Sequence, residues 1–167
     1  PYDLVKKYGT DATRYMLLRH INPFEDSDVS WAKFDEWYTA NLANGLGNLV
    51  ARVMKLAEDN LDAPIARPEA TAFPIEYTDA LDKFEFNKAM DSIWHKIQLL
   101  DQRINAEEPF KLVKTDAAAG KKVISELVAE LYDISYTLTP FLPATAELIK
   151  SAVLANKKPD NLFKRLD

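Results

Sequence analysis

Asn48 and Arg52 stand four residues apart in the stretch from Asn41 to Lys55, Asn-Leu-Ala-Asn-Gly-Leu-Gly-Asn-Leu-Val-Ala-Arg-Val-Met-Lys. In a helix that spacing is one turn, so an amide and a guanidinium share a face. The amide both donates and accepts, and the guanidinium offers a fork of donors; together they suit the edges of nucleic-acid bases. The pair belongs to a polar stripe of Asn41, Gly45, Asn48, Arg52 and Lys55. An apolar stripe of Leu42, Leu46, Leu49, Val53 and Leu56 repeats the spacing one residue later, roughly 100° round the helix. Two glycines and three asparagines fall within eight residues. Glycine costs about 1 kcal/mol against alanine in a helix, and asparagine is a mediocre helix former, so this block has a reason other than helix stability. A solvated helix face with glycines for close packing fits the same residues, and spacing alone leaves both readings open.

Little else in the chain has a chemical spacing. There is no Gly-rich phosphate loop, paired-His metal motif or Ser/His/Asp arrangement, so no catalytic or metal-ligating residue is assigned. His20 and His95 sit inside helical patterns and read as packing or surface histidines. Asp26 and Asp28 form only a pair of carboxylates, weak as a cation site. Lys111, Lys114, Lys121 and Lys122 face Asp116 alone over residues 109–122, a local basic patch suited to phosphates or simply to solubility. Residues 23–38 are acidic, with Glu25, Asp26, Asp28, Asp35 and Glu36 against Lys33.

The 167 residues are enough for one domain with a sizeable core, and 47% are hydrophobic. A net charge of −5 excludes a generally basic nucleic-acid binder, leaving recognition to a local patch. The absence of cysteine excludes disulfides and thiolate metal sites and fits a reducing, cytoplasmic location. No apolar run is long enough to span a membrane. The opening Pro-Tyr-Asp-Leu reads as the start of a piece cut from a longer protein.

Helices must position these residues. The pattern predicts a short helix over 3–8 ended by Gly9. A second follows over 11–20 with Thr10 or Asp11 as N-cap and Tyr15, Leu17 and Leu18 inward. Residues 21–29 read as irregular. Ser30 caps a long helix to about Asn60, roughly 45 Å in length, with Trp31 and Trp37 near its start packed against the N-terminal extension. Pro64, Pro68 and Pro74 mark a loop. A helix over 84–105 shows Phe86, Met90, Ile93, Ile97, Leu100 and Ile104 on one face, and Pro109 breaks it. A helix over 115–139 buries Val123, Leu127, Leu131, Ile134 and Leu138. A last helix covers 144–155, and residues 157–167 form an extended tail carrying Leu162 and Phe163. The expected fold is all-α, an antiparallel helical bundle with a small N-terminal extension.

Lys7-Tyr8-Gly9-Thr10-Asp11-Ala12-Thr13-Arg14-Tyr15-Met16-Leu17-Leu18 resembles the segment that follows the Lys-Met-Ser-Lys-Ser loop of class I aminoacyl-tRNA synthetases. Asp26-Ser27-Asp28-Val29-Ser30 and the block from Tyr38 to Arg52 are similar to the methionyl-tRNA synthetase family. Leu162-Phe163-Lys164-Arg165-Leu166-Asp167 resembles that family's Leu-Phe-Pro-Arg-Ile-Asp-like ending, so the resemblance spans nearly the whole chain.

The resemblance implies that residues 1–29 end a stem-contact region and that residues 30–167 form an anticodon-binding helical bundle. The catalytic domain, with ATP and zinc, would lie upstream, leaving no cofactor in this fragment. The partners implied are a methionine-accepting tRNA with anticodon CAU and the chain's own catalytic domain, with no membrane. On the family pattern the base-reading residues are Asn48 and Arg52. Phe110, after Pro109, takes the place of a Trp that stacks on an anticodon base; without the resemblance, a ring after a proline break reads as core packing. Asn41, Lys55, Lys111 and Lys114 are the expected backbone contacts. A synthetase for valine, leucine, isoleucine or cysteine, or a helical protein-interaction module, are the other readings.

Overall fold

The computed structural model describes residues 1–21, 28–69 and 73–166. Most of the irregular acidic stretch, Asp26 included, and Asp167 lie outside them. Every regular element among the described residues is helical. None of these helices is long and apolar enough to cross a membrane.

Helix α1 (Tyr2–Tyr8) stops at Gly9, whose φ of 84° is open to glycine and strained for other residues. The same glycine is the N-cap of α2 (Thr10–His20), not Thr10 or Asp11 as expected. The Asp11 carboxylate is engaged elsewhere. It accepts the Thr145 backbone N–H at 2.7 Å, in the first turn of the last helix, where donors lack intrahelical partners. Tyr15 is buried as expected, but Leu17 and Leu18 are only half-buried, and Ala12 and Met16 face the core in their place.

Ser30 caps the long helix as expected, its Oγ accepting the Lys33 N–H at 3.3 Å. That helix has three parts. After α3 (Trp31–Trp37), the turns widen to a π-helix over Tyr38–Gly47 and return to α4 (Asn48–Asn60). Trp31 lies 6.4 Å from the Tyr8 ring, and Trp37 stacks on His20 at 4.3 Å, so both indoles pack on the N-terminal extension.

Helix α5 (Ile75–Asp82) was not expected from the pattern. It is eight residues long and anchored by one ring, with buried Tyr77 donating its hydroxyl to the Thr137 carbonyl at 2.7 Å. Helix α6 (Phe86–Glu107) ends at Glu108, whose φ of 42° turns the chain into α7 (Pro109–Thr115). Asp116 then caps α8 (Ala117–Leu138), accepting the Ala119 N–H at 3.0 Å; this is the helix expected over 115–139, begun two residues later, and the separate helix α7 before it was not expected. A methyl at Gly120 would lie 2.6 Å from the Val113 backbone, so glycine there lets α7 and α8 touch. Helix α9 (Pro143–Ala155) completes the bundle.

Side-chain register gives the directions. The end of α6 (Arg103) and the segment after α4 (Asp62) both meet the first half of α8, at Glu126 and Lys121 respectively, so α8 runs against both. Leu42, Leu46, Leu49, Val53, Met90, Ile93, Leu100, Leu127, Leu131 and Ile149 fill the core between the helices.

Candidate nucleic-acid interface

The glycines of the long helix acquire a physical reason in the widened turns. A methyl at Gly45 would sit 3.2 Å from the Ala40 carbonyl oxygen, and one at Gly47 would sit 3.1 Å from the Leu42 carbonyl oxygen. Each crowding oxygen lies five residues back, the spacing that a π-helix brings into register. These residues therefore serve backbone geometry and close packing together: Gly47 also lies against Phe163, and Gly45 against Trp94. The Trp94 indole N–H is buried there without a hydrogen-bond partner among the described residues.

At the end of the widened segment, Asn48 opens α4 with its side chain exposed. Arg52, one turn on, reaches across to α6. It donates to Asp101, and its other terminal nitrogen donates to the Asn105 amide oxygen at 2.8 Å. The Asn105 amide nitrogen in turn donates to Asp101 at 3.3 Å. The guanidinium is thus aimed by a carboxylate and an amide, yet its side chain stays 33% exposed. A cleft of about 490 Å³ opens beside it between the long helix and α6, lined by Asn44, Gly45, Asn48, Arg52, Gln98 and Asp101.

Phe110 is 44% exposed, so the core-packing reading of this ring does not hold. It stands in the first turn of α7, and that helix touches α4 as well as α8. The Lys111 ammonium lies 5.8 Å from the Phe110 ring centre and 2.6 Å from the Glu108 carboxylate. Lys114 is exposed and has no ion pair among the described residues.

The two remaining expected contacts are engaged differently. The Asn41 amide nitrogen is 3.4 Å from His20 Nε2, under the Trp37 ring system, which ties it to the N-terminal extension. Burial holds the His20 pKa down at about 4, with the Arg19 charge adding to the effect. Lys55 pairs with Asp59 at 2.7 Å on its own helix. The structure therefore brings Asn48 and Arg52 together on one cleft, places Phe110 on a helix that touches theirs, and leaves Asn41 and Lys55 outside the lining of that cleft.

The α6 side of the cleft went unread in the sequence. Gln98, Asp101 and Asn105 recur at spacings of three and four, one residue after Ile97, Leu100 and Ile104. That is the same double stripe as on the long helix, and it was the available signal. No group of three or more carboxylates or histidines that would hold a metal ion exists among the described residues.

Residues 1–54 match the model of the family described as tRNA synthetases class I (M). The methionine–tRNA ligase of Fusobacterium nucleatum is 32% identical over 97% of this chain and 28% of its own length. That of Clostridium acetobutylicum is 32% identical over 90% of this chain and 26% of its own. The free-state Mycobacterium tuberculosis methionyl-tRNA synthetase superposes with a TM-score of 0.77 over 99% of this chain and 40% of that one, at 21% identity, a likeness of fold. The chain is thus similar to methionine–tRNA ligases over nearly its whole length, and spans between a quarter and a third of the length of these curated relatives.

Proposed function

We propose that this chain recognises the CAU anticodon of a methionine-accepting tRNA, as the anticodon-binding part of a cytoplasmic methionyl-tRNA synthetase. ATP-dependent attachment of methionine would then belong to a catalytic domain elsewhere in the parent protein. Residues 1–29 would end its stem-contact region. The observation that carries the reading is the Asn48–Arg52 pair at an open cleft, with the exposed Phe110 ring on an adjoining helix.

Single-stranded loops are read by splaying bases onto aromatic rings and bonding their edges. A guanidinium has five N–H donors, and Arg52 spends two on Asp101 and Asn105, leaving the rest for a base edge. The Asn48 amide supplies a donor and an acceptor beside it. Phe110 offers a π-face, and base–aromatic stacking is worth about 1–3 kcal/mol. Lys111 lies beside that ring and Lys114 follows on the same helix, and both suit the loop phosphates, which fix register without carrying sequence.

The test is a titration with a labelled CAU anticodon stem-loop and single-base anticodon variants at two salt concentrations. Preference for CAU that weakens with salt, and that is lost in Asn48→Ala, Arg52→Ala and Phe110→Ala with an unchanged melting temperature, is the expected result. Preference for a valine, leucine, isoleucine or cysteine anticodon would reassign the tRNA. Salt-insensitive binding to protein with none to RNA would replace the reading with a protein-interaction module.

A further inference from the structure

The exposed asparagines Asn44 and Asn48 form a ridge with a cleft on each side. One is the cleft shared with Arg52 and α6. The other, of about 430 Å³, lies between the long helix and the C-terminal tail and is lined by Asn44, Gly47, Asn48, Asn161, Phe163 and Arg165. The tail that builds its far wall is fixed at two points. The Tyr38 hydroxyl donates to the Lys164 carbonyl at 2.8 Å, and the Phe163 ring meets the Tyr38 ring edge-on at 6.1 Å. Phe163 also lies against Gly47, where a methyl would come within 3.3 Å of the ring. Arg165 follows directly on the anchored Lys164, so its position over the cleft comes from the fold although its side chain is exposed.

The two clefts differ in charge. Arg52 already faces Asp101, whereas Arg165 has no carboxylate partner among the described residues, and no acidic residue lines its cleft. Three amides and one uncompensated guanidinium, without a carboxylate, are the chemistry of a sugar–phosphate unit: the guanidinium for the phosphate, the amides for hydroxyls and phosphate oxygens.

Resting on the anticodon reading above, we infer that the tail cleft holds the phosphate and ribose of the loop nucleotide adjoining the one read by Asn48 and Arg52. Arg165 contacts the phosphate, and Asn44 and Asn161 contact the sugar edge. This subsite sets the register of the loop over the ridge and carries no base preference.

The probe is the same CAU stem-loop and its single-base variants, titrated over a salt series with wild type, Arg165→Gln, Arg165→Lys, and the double variant Asn44→Ala/Asn161→Ala. Arg165→Gln is expected to weaken every stem-loop by a similar factor, about tenfold. It should also lower the slope of log K against log salt by about one, with the CAU preference and melting temperature unchanged. Arg165→Lys should recover most of the slope. The double amide variant should weaken all loops about threefold without changing the slope. Wild-type affinity and slope in Arg165→Gln, while Asn48→Ala still abolishes CAU preference, would overturn this subsite and leave the anticodon reading standing. A change in base preference in Arg165→Gln would also overturn it, by making the cleft a base reader. Binding that is lowered uniformly by Arg165→Gln but shows no CAU preference in wild type would uphold a phosphate site and sink the anticodon reading. No RNA binding by wild type would overturn both.

Discussion

Of the arginines that meet helix α6, Arg103 and Arg52 have opposite surroundings. Arg103 rises from α6 and donates to Glu107 at 2.7 Å and to Glu126 and Glu130 at 2.5 Å each, so three carboxylates enclose one guanidinium. Arg52 approaches α6 from the long helix and meets one carboxylate, Asp101, and one neutral amide, Asn105. Their side chains are similarly exposed, 26% and 33%, so exposure does not separate them. Partner charge does. Around Arg103 the excess of negative charge repels an RNA backbone, and every nitrogen of the fork is occupied. Around Arg52 the charge is balanced and donors remain. An arginine is available for recognition when its neighbours aim it without saturating it.

The contrast breaks most visibly in RNA binding. Arg52→Ala is expected to weaken CAU stem-loop binding about ten- to a hundredfold, the worth of a good two-point contact to a base. Arg103→Ala should leave it within about twofold. A loss of similar size in both variants would show that the two arginines act through the fold alone. A smaller effect is expected at the aiming residue. Asp101→Asn keeps an acceptor for Arg52 and removes the competing charge, so affinity should rise a few-fold and fall more steeply with salt. A loss matching that of Arg52→Ala would instead make orientation by Asp101 more important than its competition for the guanidinium.

These differences also mark where the sequence was legible. The long helix, its Ser30 cap, the apolar faces of α6 and α8, and the pairing of Asn48 with Arg52 follow from spacing, because a buried face imposes a period that any reader can count. The resemblance added the family. The π-helical widening did not follow, since it resides in carbonyls five residues behind Gly45 and Gly47, and composition flagged the block without giving its geometry. Helix α5 was missed because eight residues hold too few turns to show a period. Helix α7 was missed because Gly120 is informative only once Val113 is seen against it. The partners of Arg52 come from residues 49 and 53 positions away, and no local pattern on the long helix names them.

The smallest effect belongs to Arg103 and separates the two sites without any RNA. The guanidinium beside Glu126 holds that carboxyl below its ordinary value of 4.5 in the folded chain. A carboxyl with a depressed folded pKa stabilises the fold above its unfolded pKa, and that contribution is lost as pH falls through the folded value. Wild type should therefore lose stability on acidification below about pH 4.5, the unfolded carboxyl's range. Arg103→Gln should start about 1 kcal/mol less stable at neutral pH, lowering the melting temperature about 2–4 °C. It should then lose less on acidification, because the neutral amide no longer depresses Glu126, and the two curves should converge. Thermal melts from pH 7 to pH 3 read this directly. Parallel curves would mean that the three carboxylates are not coupled to Arg103 in solution, and the distinction between a saturated and an available arginine would then rest on Arg52 alone.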